Sequence, residues 1–196
     1  MDAKRSCVIS LTAICFVLVV IATVNASVIY DSRVAFDTAI GTSITDTYST
    51  TDYGTGFIVR TNAQMDAVFG ETRYIATGIP NFNIVASEGI LSRAYCAGCN
   101  GSFILDFTDT TIGSSQGLYG VGFDYINGGA PPTYDAFITF GGNSTLDVPL
   151  NLAISSADFF GVTSSSLISS IALGLPDGGA TTSGSFAETN PDVSKG

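Results

Sequence analysis

Beyond residue 26 the chain is patterned mainly in the period of two that belongs to strands, and only one stretch carries the helical period. In Asp31–Gly41 the apolar residues Ala35, Phe36, Ala39 and Ile40 share one helical face. Asp31 or Ser32 can cap its start and Gly41 can close its end. After that, Gly56–Val59, Phe82–Val85 and Ile90–Leu91 are short β-type runs bounded by Gly, Pro, Asn or Ser. The alternation is clearest in Ser102–Phe107, where Phe103, Leu105 and Phe107 fall on one face and Asp106 on the other. Val121, Phe123 and Tyr125 repeat it opposite Gly122 and Asp124, and Ala136–Phe140 and Ile168–Leu173 continue it. Between these runs lie Asn100-Gly101, Asn127-Gly128-Gly129, Gly141-Gly142-Asn143 and Asp177-Gly178-Gly179, which supply the positive φ that tight turns need. Ser164–Ser166 and Thr181–Ser185 read as short polar loops. The pattern predicts an all-β fold, a two-layer antiparallel β-sandwich or jelly roll with one short N-terminal helix. Residues 27–196 form its single domain.

The first 26 residues have a different pattern. Lys4 and Arg5 precede an almost wholly apolar run, Cys7–Val24, and Val24-Asn25-Ala26 ends on a small residue. This is the layout of an export signal, and cleavage after Ala26 is the simplest outcome. An uncleaved membrane anchor is the competing reading, since the run approaches the length that spans a bilayer. Ser10, Thr12 and Thr23 dilute it. Ile14 before Cys15 does not fit a lipidation site. Cleavage predicts a secreted protein with no membrane attachment of its own. It removes one acid and two bases, Asp2, Lys4 and Arg5, and moves the net charge from −10 to −11.

Composition then excludes several chemistries. The chain has no histidine, so Ser-His-Asp triads, Cys-His dyads and imidazole-ligated zinc are ruled out. Its acids outnumber its bases 17 to 7 with no basic cluster, which argues against a nucleic-acid partner. Charged residues make up only 12 %, about half the usual globular share of roughly 25 %.

Two sets of residues resemble a known group. Ser32-Arg33-Val34-Ala35-Phe36-Asp37, followed by Thr45-Asp46-Thr47-Tyr48, is similar to the start of exported bacterial β-sandwich proteins that carry the PEP-CTERM sorting signal. Tyr119–Tyr125, Ala136–Phe140, Asp158–Val162 and Leu167–Ile171 resemble the body of those proteins. The resemblance implies a cell-surface or extracellular-matrix protein and transfers no shared reaction. Gly184–Ala187 resembles the start of the group's last strand, but Glu188-Thr189-Asn190-Pro191 follows it and the sorting signal itself is absent.

Four constellations are candidates for chemistry. Cys96 and Cys99 are expected to form a structural disulfide, because export leads to an oxidising compartment. A redox pair would need Cys96 at a helix N-terminus, whereas a strand pattern follows. Calcium is the one candidate cofactor. Asp106 and Asp109 are its named ligands within a wider set of acids that includes Asp124, Asp135, Asp147, Asp158 and Asp177, all of which also read as solvated strand faces. For glycan binding the candidates are Tyr134 and Tyr95, with Tyr119 and Tyr125 behind them and Asn127 and Asn143 in neighbouring loops. Tyr134, just after Pro131-Pro132-Thr133, is expected to be the most exposed. The absence of tryptophan counts against this reading. Glu71 and Glu88 are the carboxylates a glycoside hydrolase would use, but a Glu71–Arg73 pairing along one strand explains Glu71 equally well. Asn143-Ser144-Thr145 matches a glycosylation acceptor and reads equally as a turn.

The expectation is therefore a secreted, non-catalytic cell-surface or matrix protein with lectin-like glycan binding. Its partners would be extracellular polysaccharide or other surface proteins. A purely structural or adhesive protein without a small ligand is the alternative, and a carboxylate-dependent glycosidase a more distant one.

Overall fold

The computed structural model describes residues 26–79, 82–88, 91–98, 101–127, 134–150, 157–181 and 191–194. Residues 1–25, with nearly all of the segment read as an export signal, and Cys99, Pro131–Thr133 and Gly184–Ala187 lie outside the described residues. In chain order the elements are β1 (Ser27–Tyr30), α1 (Arg33–Ala39), α2 (Thr50–Tyr53), β2 (Ile58–Arg60), α3 (Asn62–Phe69), β3 (Arg73–Ala76) and β4 (Asn83–Glu88). They continue with β5 (Leu91–Ala97), β6 (Phe103–Asp106), β7 (Leu118–Asn127), β8 (Asp135–Phe140), β9 (Thr145–Pro149), β10 (Ala157–Gly174) and β11 (Pro191–Ser194).

All strand pairs are antiparallel, and β10 organises them. Its first half pairs with β7 on one side and β1 on the other. Through β7 that layer extends to β11, β5, β4 and β2. Its second half pairs with β8 and β6, and so carries β9 and β3. One 18-residue strand thus belongs to both layers of the sandwich. It passes between them after Ser164, where the pairing with β1 ends, and before Ile168, where the pairing with β8 begins, with a register shift following between Ile168 and Ser170. Strands that change layer do so at bulges or bends. The predicted polar loop Ser164–Ser166 is therefore strand. Its hydroxyls bond locally around the bend: Ser164 Oγ lies 3.2 Å from Ser27 Oγ and accepts from the Ser166 N–H at 3.1 Å.

The two inner faces meet in one buried cluster. Phe123, Phe160 and Val162 come from the first layer, and Phe103, Leu105, Ile138, Ile171 and Leu173 from the second. The predicted alternation in Phe103–Phe107, Val121–Tyr125 and Ala136–Phe140 supplies this core. Gly142 and Asn143, at φ 94° and 64°, turn β8 into β9 as the sequence requires.

Helix α1 starts at Ser32, whose hydroxyl accepts from the Ala35 N–H. It ends at Ile40, in extended backbone, one residue before Gly41. Two further helices accompany it among the described residues, where the sequence predicts a single one. Helix α3 carries a capping box, with Thr61 and Gln64 each accepting from the other's backbone N–H, and Gly70 closes it in the left-handed region. Short α2 packs against α3, and its Tyr53 hydroxyl donates to Asp46 in the segment that follows α1.

Helix α1 is seated on glycine. Gly122 of β7 and Gly161 of β10 are register partners, and the Phe36 and Phe159 rings lie directly over them. A Cβ on Gly161 would stand 2.8 Å from both rings, and one on Gly122 would stand 2.7 Å from Phe159 and 2.9 Å from Phe36. Arg33 fastens the helix from the other end. Its guanidinium bonds Asp124 at 2.5 and 3.3 Å and lies 4.7 Å from the centre of the Phe159 ring. We expect Gly161→Ala to lower the thermal midpoint by roughly 2–12 °C, the usual range for overpacking a domain of this size. Gly41→Ala, which meets nothing within 4 Å, should leave it in place. Equal midpoints in thermal denaturation of both variants would refute the glycine seat.

Candidate functional site

The helix so placed forms one wall of a cleft of about 620 Å³. The wall continues along residues 40–46, and the opposite side is the start of β7 with Thr163–Ser165 of β10. The far end is closed by Glu71, Thr72 and the 107–113 loop. Ile44, Ile112 and Tyr119, three of the exposed large apolar residues, stand in this cleft, and Tyr119 is 63 % exposed.

The loop at the closed end is held by acids. Glu71 accepts from the Thr111 N–H at 2.8 Å and from its hydroxyl at 2.5 Å. The predicted Glu71–Arg73 pair is not made. Arg73 instead reaches across from β3 to Asp106 on β6 at 2.5 Å and donates to Thr108 Oγ1 at 2.6 Å. The other Asp106 oxygen accepts from the Thr108 N–H and hydroxyl. Both oxygens of this calcium candidate are thus engaged by protein donors. Asp109, its proposed companion, is exposed in the left-handed region at φ 67°. Among the described residues no group of three or more His, Cys, Asp or Glu is placed to hold a metal ion.

Thr110, between Asp109 and this anchored turn, is 8 % exposed and lines the cleft. Its Oγ1 has no hydrogen-bond partner among the described residues. Arg60 Nε and Arg93 Nη2 share that condition, but neither residue lines the cleft. A buried hydroxyl of this kind is normally satisfied, so Thr110 is an exception within the packed turn beside Gly113.

The inner end of the cleft is Asp46, which is buried. One oxygen accepts from the hydroxyls of Tyr53 at 2.5 Å and Tyr74 at 2.7 Å, and the other from the Tyr48 N–H at 2.9 Å. Tyr48 is held at φ 52°, which bulky residues rarely adopt, and Arg93 fixes its carbonyl at 2.8 Å. Burial, reinforced by the nearby Asp46 charge, pushes the Tyr48 and Tyr53 hydroxyls well above the usual tyrosine range. Tyr74 is raised too, by burial first and then by Tyr48 and Asp46. These hydroxyls remain donors, and the cluster is a structural brace at the cleft's end.

The glycan candidates fare differently. Tyr95 and Tyr134 are 0 % and 1 % exposed, so neither can offer a ring to a sugar. Tyr95 instead packs against Tyr74 and Phe103 and donates to Asn83 at 2.7 Å. Tyr134 opens β8 from within the core, which corrects the expectation that the turn before it would leave it outside. Tyr125 is also buried, its hydroxyl pushed up to about 12 by burial and then by Asp158. Asn127 ends β7, its backbone in register with Pro191, and Asn143 sits exposed in the β8–β9 turn. Tyr119 alone of the four tyrosines faces solvent. Cys96 is buried on the outer face of β5 beside Ile84 and Ala86.

Comparison of the chain with protein-family models, with curated proteins and with solved structures finds no match. No helix among the described residues is long and apolar enough to cross a membrane. The fold and the cleft define an all-β sandwich with a helix-walled groove that joins an exposed aromatic ring to hydroxyl and carboxyl groups.

Two expectations follow from these side chains. Thr110→Val keeps the shape and removes the orphan hydroxyl, so the thermal midpoint should rise, by an amount corresponding to at most about 1–3 kcal/mol. A lower midpoint would show that the hydroxyl is already satisfied. On β8, burial and then the charge and hydrogen bond of Asp147 raise the Asp135 carboxyl above its ordinary value. A raised carboxyl favours the fold in acid, and that contribution is lost as pH rises through its folded value. Asp135→Asn should therefore stabilise the protein at about pH 7 and have little effect near pH 3, below the ordinary aspartate value of about 3.9. Denaturant titrations at both pH values that give equal differences would contradict the pair.

Proposed function

We propose that this chain is an exported, non-catalytic surface or matrix protein that binds glycan in the cleft between α1 and β7. The observation that carries the reading is an exposed ring, Tyr119, set in one groove with carboxyl and hydroxyl groups. A pyranose has an apolar face that stacks on a ring and an edge of hydroxyls that donate and accept. Ile44 and Ile112 supply further apolar surface, and Thr163 and Ser164 supply hydroxyls on the β10 side. Sites for small molecules commonly combine an apolar lining with a few fixed polar groups in this way.

Export and surface residence rest on the N-terminal segment and on the resemblance to the PEP-CTERM group. In support, Arg33 and Phe36 of one motif contact Asp124 and Gly122 of the other, so the two behave as one unit. Export also makes a Cys96–Cys99 bridge the expected state of those thiols. Calcium is not needed by this reading, since Asp106 is committed to Arg73 and Thr108. A hydrolase reading is weaker, because Glu71 serves as the anchor of the Thr111 turn.

A glycan array with the mature protein tests the proposal. Binding to a defined subset of oligosaccharides is expected, and Tyr119→Ala should weaken it roughly 2–10-fold, the usual worth of one aromatic contact. An array without any binding would leave the structural or adhesive role.

A further inference from the structure

We propose that the cleft selects glycans bearing free amino groups, such as glucosamine-type oligomers, over neutral ones, and rejects those bearing carboxylate or sulfate. The inference rests on the glycan reading and goes on to the chemistry of the sugar. Three carboxyl groups line the cleft: Asp37 on α1, Asp46 at the inner end and Glu71 at the closed end. The single guanidinium in the lining, Arg33, is already matched by Asp124 and covered on one face by Phe159. No lysine and no second arginine lines it.

The acceptor capacity left over points the same way. A carboxylate offers about four lone-pair sites. Glu71 uses two on Thr111, and Asp46 uses three on Tyr53, Tyr74 and the Tyr48 N–H. Asp37 is exposed on the same helix one turn beyond Arg33. The walls are thus rich in acceptors. Apart from Arg33, the side-chain donors in the lining are hydroxyls, which accept as readily as they donate. An ammonium, with three donors and no acceptor, complements such a lining, and an added carboxylate or sulfate would face like charge. The net charge of −10 over the whole chain gives the surrounding field the same sign.

The test is calorimetric titration with three short oligomers of equal length: fully deacetylated β-1,4-glucosamine, its N-acetylated form and an oligo-uronate. The deacetylated oligomer should bind about tenfold more tightly than the acetylated one at low salt, with the gap narrowing as salt screens it. The oligo-uronate should not bind. Asp37→Asn should narrow the gap, whereas Asp177→Asn, which removes the same charge in a turn outside the cleft, should not. Equal affinities for the two glucosamine forms overturn the selectivity and leave the glycan reading standing. Absence of binding by all three overturns both. Amine-oligomer binding that survives Tyr119→Ala unchanged would be attraction to the acidic surface at large, and overturns the proposal. Equal competition by a short lysine peptide would assign the cleft to basic protein segments instead.

Discussion

The Arg33 and Phe36 contact with Asp124, Gly122 and Gly161 is the constraint on which the rest of the arrangement depends. Strand faces without side chains at two paired positions leave a shallow seat, and only aromatic rings fill it. A half-buried surface ion pair alone would hold a seven-residue helix weakly, since surface pairs contribute about 0–1 kcal/mol and isolated short helices are marginal. Here the ion pair fixes direction while Phe36, packed between Tyr30 and Phe159, supplies the buried area. Because α1 is a wall of the cleft, the position of the wall is set by the absence of two β-carbons.

The other end of the cleft is fixed by a different principle. Asp46, buried with three donors aimed at it, gathers the segment after α1, the short α2 and strand β3 around one carboxylate. Leaving any of those donors or the acid unmatched would cost more than the network gains, so the cluster is satisfied as a whole or not at all. The tyrosine rings around it stack on one another and on Phe103, so a polar centre is built into an aromatic core without opening it to water. This is how four of the chain's tyrosines come to be structural.

The strand faces were legible because burial and alternation coincide there: Phe103, Leu105, Phe123, Ile138 and Phe140 all face the core as their spacing predicts. The α1 cap and apolar face were equally plain. Helix α3 was legible in principle, since Thr61-x-x-Gln64 ahead of Met65, Val68 and Phe69 and the closing Gly70 are ordinary helix boundaries. The continuity of β10 was not, because a serine run reads as a loop unless the donors that bond its hydroxyls, Ser27 from β1 among them, are known. Tyr95 and Tyr134 show the same limit. Their sequence neighbourhoods are turn-like, but exposure is decided by residues distant in the chain, such as Asn83 for Tyr95.

Thr110 shows why the site itself was the least legible part. Its hydroxyl is an orphan only because its neighbours are spoken for: Glu71 is taken by Thr111, Asp106 by Arg73 and Thr108, and Gly113 leaves no side chain to reach it. A Cβ on Gly113 would lie 2.9 Å from that oxygen, so the close turn that denies Thr110 a partner also requires the glycine. None of these commitments is local in sequence. They join β3, β6 and the loop before β7. A polar group left unmatched by so many surrounding matches is a property of the fold, and no reading of the sequence around Thr110 alone could find it.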